Sequence, residues 1–545
     1  MAAGAGAGEA GLCDAVLLAP LTEETFVHNL HVRYKRDVIY TYVGAALVCV
    51  NPCRPLPLYT PELVRAHLAR PPYTLPPHLY AITATAYRWV RDRNESQCIV
   101  ITGESGSGKT EAARVCLQCV VLAGGAAGAG GALVAAGTLL EAFGNAATPI
   151  NHNASRFGKL LDIEFNFKGE PIGGHITHYL LEKERVCRIS EDERNFHVFY
   201  QLLAGADVQL LKRLKLQRSA MCYRVLVGSC GGAPPRTPHP APRPISRQDT
   251  KHFQHTKDAM ARVGVCASRV LRVLAFILKL GNAEFEPTHN IDGSIGTHLH
   301  HHYEVWEACE LVGVDARSLL LALGAEPASL DAPAHTPDHA DSEPGADQAE
   351  GSAEWARSLR DRLISTVYSR LFTWLVGAAN QALQSDGTTR TAELGILDAY
   401  GFESLSHNGL ERLLINYCAE RVQAAVTGAT LRREQREYCR EGLPWRALPY
   451  LDHEANAELL DHGPESLLGI LGDVSAKGLD DDTFIQRLQR KRDRRLLVLP
   501  PDHFHAVSFA CRHSTTAGGA MTWSEVAPHL LIIGVLFPAV NGRST

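Results

Sequence analysis

The sequence lacks an apolar run long enough to cross a membrane. Its longest late run, residues 530–537, is bounded by Pro528 and Pro538 and is far shorter than the ~20 residues that a membrane helix needs. The Ala/Gly-rich first residues have neither the basic start nor the apolar core of a secretory signal. We therefore expect no membrane span and no export signal.

An excess of positive charge is also missing. The 545 residues carry 54 Lys and Arg against 59 Asp and Glu, a formal net charge of −5, so nucleic acid is not an expected partner. With 45% hydrophobic and 21% charged residues, the composition is typical of a folded soluble protein. The 14 cysteines are scattered and several lie in apolar segments, which favours buried free thiols in a reducing cytosol over a disulfide framework.

Several stretches have a composition that argues against packed structure. The first 11 residues are predicted to be disordered, and residues 231–244 and 324–350 are predicted to be exposed loops or insertions. Residues 123–137, almost all Ala and Gly, are predicted to be a flexible connection before a helix that ends near Phe143. The histidine-rich residues 297–302 are interpreted as an exposed loop in preference to a metal site, because no ligand set of Cys or carboxylates lies beside them.

The sequence does contain a complete phosphate-binding loop directly after the apolar run 98–102. It consists of Gly103, Glu104, Ser105, Gly106, Ser107, Gly108, Lys109 and Thr110. In such a strand–loop–helix unit, backbone N–H groups and the helix N-terminus surround phosphate oxygens. Lys109 is expected to reach the β- and γ-phosphates, and the Thr110 hydroxyl to hold Mg²⁺. The motif therefore predicts a nucleoside triphosphate site.

Periodicity predicts the elements around this loop. Helices are expected at 22–34, 77–93 and 110–122. Strands are expected at 38–52, on both sides of Gly44. Two further strands, at 159–167 and 174–181, are expected to pair across a turn.

Two later stretches supply groups suited to sensing a γ-phosphate. Residues 151–159, Asn-His-Asn-Ala-Ser-Arg-Phe-Gly-Lys, offer amides, a hydroxyl and a guanidinium in one loop. The second stretch is residues 394–403. It begins with an apolar strand that ends in Asp398, the position at which such sites have a carboxylate near Mg²⁺. Gly401, three residues further, would offer an unhindered backbone N–H.

These three motifs together resemble the myosin motor, and the segment around residues 167–176 resembles the class I, single-headed myosins. The resemblance implies an α/β fold of the P-loop NTPase type. Its central, mostly parallel twisted sheet is flanked by helices and accompanied by a large helical subdomain. We interpret residues 12–512 as a partial motor domain, incomplete at its C-terminal end, and residues 513–545 as a divergent segment.

The resemblance also implies a role for each matching position. The residues implied in catalysis are Lys109, Asn153, Ser155, Arg156, Gly401 and Glu403. ATP would be held by the phosphate loop together with Asn51, Pro52, Tyr59 and Asn151, and Mg²⁺ by Thr110 and Ser155, with Asp398 acting through a water. Arg156 and Glu403 would form an ion pair that closes the two γ-phosphate loops, so removing either partner should abolish hydrolysis.

By the same resemblance, the protein is an actin-based motor ATPase that couples ATP binding and hydrolysis to actin binding and release. The alternative is a nucleotide-binding pseudo-motor or interaction fragment without motility. Actin filaments are the expected partner, with part of their interface missing from the chain. The resemblance also implies light chains and membrane lipids as partners of the family, through segments that we expect to be absent from this sequence. The expected location is the cytoplasmic actin cytoskeleton, including membrane-associated actin in a full-length form.

Several positions depart from the family pattern, among them Cys53, which replaces an aromatic residue near the adenine. Ala154 stands where a serine is usual, which predicts slower hydrolysis with retained nucleotide binding. Ser107 replaces an alanine and is small enough to be tolerated. In the helix after Asn416, residues 423–428 lack the bulky apolar side chains that are usual in the family, and Gly428 costs about 1 kcal/mol in a helix interior. Both features predict weaker coupling to distant parts of the protein.

Overall fold

The structure is a computed structural model of the chain. It describes residues 11–124, 129–189, 193–227, 246–289, 295–324, 353–384, 392–403, 410–448, 458, 460–479 and 481–490, and strand segments at 497–498, 510–511 and 530–536. The predicted disordered N-terminus up to residue 10, the predicted loop 231–244, almost all of the predicted loop 324–350 and most of segment 513–545 lie outside the described residues.

Helices dominate the described residues. They are α1 (Glu23–Tyr34), α2 (Pro61–Ala69), α3 (Leu79–Arg93), α4 (Lys109–Ala123), α5 (Ala129–Gly144), α6 (His197–Gly205), α7 (Val208–Arg213), α8 (Arg224–Val227), α9 (Arg247–Arg262), α10 (Ala267–Gly281), α11 (His302–Val312), α12 (Ala316–Ala322), α13 (Ala353–Ala382), α14 (Leu410–Thr427), α15 (Arg433–Arg440), α16 (Leu467–Ala476) and α17 (Asp481–Gln489). Among these residues, no helix combines the length and the apolar character needed to cross a bilayer.

The strands are β1 (Tyr40–Val43), β2 (Ala46–Val50), β3 (Gln97–Gly103), β4 (Asn145–Ala146), β5 (Ala154–Ser155), β6 (Gly158–Phe165), β7 (Pro171–Tyr179), β8 (Glu284–His289), β9 (Ile295–His300), β10 (Ala392–Asp398), β11 (Leu497–Val498), β12 (Ala510–Cys511) and β13 (Leu530–Leu536). The chain divides into two compact units. The first unit comprises residues 1–125, 160–171 and 389–545, and the second comprises residues 126–159 and 172–388.

A mixed sheet forms the centre of the first unit, in the strand order β1, β2, β13, β3, β10, β6. Strand β13 is antiparallel to both β2 and β3, whereas β10 is parallel to β3 with Asp398 opposite Ile101. Ile99, Val100 and Ile101 in β3 are almost fully buried, as the apolar run predicts for an interior strand. The predicted α/β fold is confirmed, but the described pairings make the sheet mixed where a mostly parallel one was expected, because β1 with β2 and β13 with both its neighbours are antiparallel. The chain's late apolar run supplies an interior strand of the sheet.

Helix α3 packs in the core of the first unit, because nine of its fifteen residues are buried. It ends at Asn94, whose left-handed conformation (φ 56°) lets its N–H reach the carbonyls of Trp89 and Val90. Three residues later β3 begins, so α3 delivers the chain to the strand that precedes the phosphate loop. The predicted helices at 22–34, 77–93 and 110–122 and the strands around Gly44 are all present.

The second unit is mostly helical, with α13 at its centre. Tyr368 of α13 is fully buried, donates its hydroxyl to the carbonyl of Phe143 at 2.6 Å, and stacks on Phe196 with ring centroids 4.8 Å apart. Phe372, one turn further, packs edge-to-face on Phe157. Aromatic side chains therefore join α13 to α5, α6 and the loop that carries Phe157.

The predicted flexible connection at residues 123–137 is wrong from residue 129 onwards. Helix α5 begins at Ala129, and Leu133, Ala135 and Ala136 are buried in it. Alanine is the best helix former, and burial of one face against the unit's core outweighs the cost of the glycines.

The predicted exposed loop at residues 297–302 is also wrong. Residues 295–300 form β9, which pairs with β8 so that Leu299 lies opposite Phe285. Thr297 and Leu299 are buried while His298 and His300 lie on the other face, the alternation that a half-buried strand requires. In the sequence, the histidines on the half-buried face made this alternating strand pattern look like a polar loop.

Gly428 does not end its helix. A π-helical turn, Gly428–Arg432, joins α14 to α15, and such turns insert one extra residue per turn into a continuous helix. The effect of Gly428 on coupling stays a prediction.

Candidate functional site

The phosphate loop connects β3 to α4 in the first unit. Helix α4 begins at Lys109, and its N-cap is Gly108 with φ +101°, a backbone conformation that side chains other than glycine rarely adopt. The Asn51 side chain donates from Nδ2 to the carbonyl of Gly106 at 2.8 Å. The loop therefore begins a helix, as anion-binding loops do, and is tied to the end of β2.

The Lys109 ammonium folds back over the loop. It is 7% exposed and donates to the carbonyl oxygens of Gly103 at 3.0 Å and Glu104 at 2.6 Å. Burial lowers the pKa of Lys109 to about 8, although the nearby carboxylates of Asp398, Glu403 and Glu104 oppose the shift. A negatively charged ligand in the loop would favour the charged ammonium.

The parallel pairing of β3 and β10 brings their carboxyl ends to the same edge of the sheet, where ligands of open α/β sheets bind. Asp398, the last residue of β10, is 3% exposed and accepts a hydrogen bond from the Thr110 hydroxyl at 3.4 Å. Thr110 and Asp398 are 288 positions apart in sequence. The two residues that the sequence assigns to Mg²⁺ in this unit therefore meet.

The segment after β10 lies directly against the phosphate loop. The N–H of Ser105 donates to the carbonyl of Phe402 at 3.2 Å, and Glu104 forms a parallel β-bridge with Phe402. A Cβ added at Gly401 would overlap the Ser105 nitrogen and lie 2.5 Å from both the Glu104 carbonyl carbon and Lys109 Nζ. The contact therefore requires glycine at position 401, for close approach of two backbones.

Glu403 is held by helix α14. The Asn416 side chain accepts from the Glu403 N–H at 2.9 Å and donates to the Glu403 carbonyl at 2.8 Å. The Glu403 carboxylate is 4% exposed and lies 3.8 Å from Arg412 Nε. Both ends of the segment 399–403 are thus anchored, one by β10 and the other by α14.

The predicted base-binding residues lie at the ends of one loop. Asn51 follows β2, and its Oδ1 accepts the Cys53 N–H at 3.0 Å. Tyr59, eight residues later and half-buried, shares a 2.8 Å hydrogen bond between its hydroxyl and that of Tyr40. Burial raises the pKa of Tyr59, so its phenol stays neutral.

In the second unit, residues 145–155 form a short hairpin in which Asn145 pairs with Ser155 and Ala146 with Ala154. Within its loop, the Asn153 N–H donates to Asn151 Oδ1 at 3.0 Å. Asn153 Oδ1 accepts from Asn145 Nδ2 at 3.1 Å and contacts His197 Nε2 at 3.0 Å. Because an amide oxygen only accepts, His197 carries a proton on Nε2.

Arg156 is fully buried in a charged network of the second unit. Its Nε lies 2.6 Å from Glu182 Oε2, and Arg185 contacts both oxygens of Glu182 at 2.8 and 3.2 Å. Burial alone raises the pKa of Glu182, but the charges of Arg185 and Arg156 lower it to about 2. Arg156 is thus held in place by its own unit.

The structure brings together the predicted residues of the first unit: Asn51, Gly103, Glu104, Ser105, Gly106, Gly108, Lys109, Thr110, Asp398, Gly401 and Glu403. It also brings Asn151, Asn153, Ser155 and Arg156 into one hairpin and the segment after it. The predicted ion pair between Arg156 and Glu403, and Ser155 as the second Mg²⁺ ligand, each join residues of different units and stay predictions.

Sequence reasoning assigned no role to Glu182 or to the Asn416 side chain. The role of Asn416 could have been predicted, because it stands between Ile415 and Tyr417 in an apolar stretch of a helix. An Asn buried there needs hydrogen-bond partners for both its carbonyl and its NH₂ group. Glu182 gave no such signal, since its role depends on two arginines brought close by the fold.

Comparison with known proteins agrees with this geometry. Residues 12–517 match the family described as myosin head (motor domain). Human unconventional myosin-Ib is 39% identical over 489 residues, 88% of this chain and 41% of that protein. Bovine unconventional myosin-Ia is 40% identical over 492 residues, 89% of this chain and 45% of that protein. Rat unconventional myosin-Ia is 38% identical over 491 residues, covering 88% and 55%.

The chain thus spans about half or less of the length of these relatives. The match nevertheless contains the phosphate loop, the hairpin of Asn153 and Ser155, and the segment from Asp398 to Glu403. The predicted resemblance to class I myosins is confirmed, and the chain belongs to the myosin head (motor domain) family.

Proposed function

We propose that this chain is the ATP-hydrolysing part of an actin-based motor of the class I myosin type, which couples ATP binding and hydrolysis to actin binding and release. The observation that carries the proposal is the contact between the phosphate loop and the segment after β10. Ser105, Gly401 and Phe402 form it in the first unit. A segment seated on the loop that binds phosphates can respond to whether a γ-phosphate is present.

The donor set of the first unit fits a nucleoside triphosphate with Mg²⁺. Lys109 is a buried cation whose present partners are two backbone carbonyls, and backbone N–H groups with a helix N-terminus favour phosphate. Hydroxyl and carboxylate oxygens, the groups of Thr110 and Asp398, are ligands that Mg²⁺ prefers. When bound, the cation would neutralise charge on the phosphates.

The proposal also assigns a role to each of the remaining predicted residues. Ser155 supplies the second protein oxygen for Mg²⁺, and Asn151, Asn153 and Arg156 line the phosphates. Gly401 offers its N–H to the γ-phosphate, and Arg156 pairs with Glu403 when the loops close. Asn51, Pro52 and Tyr59 hold the adenine base.

Actin filaments are the proposed partner, because the named relatives are unconventional myosins and a motor of this family requires a track. We place the protein on the cytoplasmic actin cytoskeleton. Light chains and membrane lipids are proposed only for a longer form of the protein.

The decisive experiment is co-sedimentation of the purified chain with filamentous actin, with and without Mg-ATP, combined with phosphate release at increasing actin concentration. We expect binding to actin that ATP weakens, and phosphate release that actin accelerates. Lys109→Ala should abolish ATP binding, since the buried cation at the phosphates is lost.

The matched control is Lys477→Ala, which removes an exposed lysine paired with Asp473 and should leave all readouts unchanged. ATP binding without any ATP-sensitive actin binding would contradict the motor and support the non-motile alternative. No ATP binding by the unmodified chain would contradict the nucleotide site itself.

A further inference from the structure

One buried histidine of the first unit has no part in the chemistry proposed above. His78 is 6% exposed and lies directly before helix α3. Its ring contacts the rings of Tyr40, Tyr59 and Tyr80, with centroids 4.9, 5.9 and 4.4 Å apart. A polar ring in such surroundings must satisfy its nitrogens internally.

Both ring nitrogens of His78 have backbone partners. The N–H of Tyr80 donates to Nδ1 at 3.0 Å, which makes His78 the N-cap of α3. Nε2 lies 3.1 Å from the carbonyl oxygen of Leu58. Because Nδ1 accepts a hydrogen bond, the proton sits on Nε2, which therefore donates to Leu58.

Leu58 is the residue before Tyr59, the proposed contact of the adenine base. The loop 51–60 is fixed at its start by Asn51, which bonds to Gly106. Near its end, the His78 bond to Leu58 and the hydroxyl pair of Tyr59 and Tyr40 hold it. The base-binding tyrosine thus has two supports, and one of them is His78.

We propose that His78 is a positioning residue for recognition of the nucleotide base: its Nε2–H fixes the Leu58 carbonyl, and with it Tyr59, against the rigid start of α3. The inference rests on the proposed function, because it assigns the base to the loop of Tyr59. The described contacts of the His78 ring are with Leu58, Tyr80, Tyr40, Tyr59 and His67, all outside the phosphate loop, so we expect its effect to be confined to the base.

Burial favours the neutral ring. Desolvation, with His67 stacked on the ring at 5.4 Å, lowers the pKa of His78 to about 3, against a small opposing effect of the Leu58 carbonyl. The donor on Nε2 and the acceptor on Nδ1 are therefore both retained through the physiological pH range.

Two substitutions separate the two bonds. In His78→Asn the amide oxygen takes the position of Nδ1 and caps α3, while the bond to Leu58 is lost. In His78→Gln the longer amide reaches Leu58 with its NH₂ group, while the cap is lost. Calorimetric titration of each variant with Mg-ATP, Mg-GTP and Mg-tripolyphosphate, which has no base, tests the proposal.

We expect His78→Asn to weaken ATP binding roughly tenfold, the effect of about one net hydrogen bond, and to reduce the preference for ATP over GTP. Its affinity for tripolyphosphate should stay unchanged. We expect His78→Gln to keep the ATP affinity and preference while its thermal unfolding midpoint falls.

Equal weakening of ATP and tripolyphosphate by His78→Asn would overturn the proposal, and so would unchanged binding of both. If His78→Asn does not fold, a loss of base preference in folded His78→Gln would overturn it, and retained preference would support it. Failure of the unmodified chain to bind ATP would instead contradict the proposed function.

Discussion

The backbone N–H of Ser105 donates a hydrogen bond to the carbonyl oxygen of Phe402 at 3.2 Å. These residues are almost 300 positions apart, yet the bond joins the phosphate loop to the segment that follows Asp398. This bond is possible because β3 and β10 pair in parallel, which brings the carboxyl ends of both strands to the same edge of the sheet. Movement of that segment relative to the phosphate loop requires this bond to break or shift.

Gly401→Ala is predicted to reduce ATP turnover by about 100-fold, the order of effect of a misplacement of about 1 Å in a catalytic group. The new Cβ would overlap the Ser105 nitrogen and press on Glu104 and Lys109, so the segment must move off the phosphate loop. Steady-state phosphate release measures the effect. Gly377→Ala on α13 is the matched control, since its Cβ meets nothing within 4 Å; equal turnover in the two variants would contradict the prediction.

Asn416→Ala is predicted to slow ATP turnover about tenfold while ATP affinity changes little. The substitution removes two hydrogen bonds to the Glu403 backbone, worth about 1–3 kcal/mol together, and leaves the Glu403 carboxylate in place. Turnover and calorimetric ATP binding are the measurements.

The control for Asn416 is Asn380→Ala, since Asn380 clamps the Ile176 backbone with the same two bonds, at 2.8 and 3.0 Å. It should lower stability without lowering turnover. A similar loss of turnover in both variants would show a general loss of folding instead of a local effect at Glu403.

Glu182→Gln is predicted to destabilise the protein by about 3–5 kcal/mol, because it leaves the buried Arg156 and Arg185 without their shared carboxylate. Urea unfolding followed by fluorescence measures the change. Glu437→Gln, in an exposed pair with Arg440, should change stability by less than about 0.5 kcal/mol. An equally small effect at Glu182 would show that the network contributes little.

Ala154→Ser is predicted to raise single-turnover hydrolysis by up to about 10²-fold, the contribution of one positioned donor, with little change in ATP affinity. Ala154 is 1% exposed and lies opposite Ala146 in the hairpin. Ala146→Ser buries the same hydroxyl on the facing strand and should give no increase. Unchanged hydrolysis in Ala154→Ser would mean that the missing hydroxyl does not limit this chain.

Stability is predicted to fall as the pH drops from about 6.5 towards 4. Burial lowers the pKa of His78 to about 3 and that of His197 to about 4, both below the ordinary value of 6.5. Above pH 6.5 both imidazoles are neutral in the folded and in the unfolded chain, so they do not reduce the free energy of unfolding. Below it, the unfolded chain binds protons that the folded chain does not, and His78 alone removes about 2 kcal/mol by pH 5.

Urea midpoints measured between pH 7.5 and 4.5 test this expectation. His78→Asn removes one of the titrating groups, so its midpoint should fall less steeply with decreasing pH than that of the unmodified chain. Parallel slopes for the two proteins would contradict the assignment of His78 as a neutral buried group.

The functional groups of motifs whose residues are adjacent in sequence could be predicted from the sequence alone. The phosphate loop, the loop 151–159 and the segment after Asp398 each carry their chemistry within a few residues, and local spacing decides whether such groups face a phosphate. Helices α1, α3 and α4 and strands β1 to β3 could also be predicted, because their apolar period matches their burial. The prediction was wrong where composition concealed the period, in the Ala/Gly-rich start of α5 and in the histidine-rich β9.

The sequence by itself determined which groups are available: a lysine at the end of a glycine-rich loop, a carboxylate at the end of an apolar strand and a glycine three residues after it. Only the tertiary structure decided which of them meet. The pairing of β3 with β10 places Thr110 beside Asp398 and Ser105 beside Phe402, and the packing of α3 turns His78 towards Leu58. Such contacts depend on register and burial over tens to hundreds of residues, and short-range patterns carry no information about them.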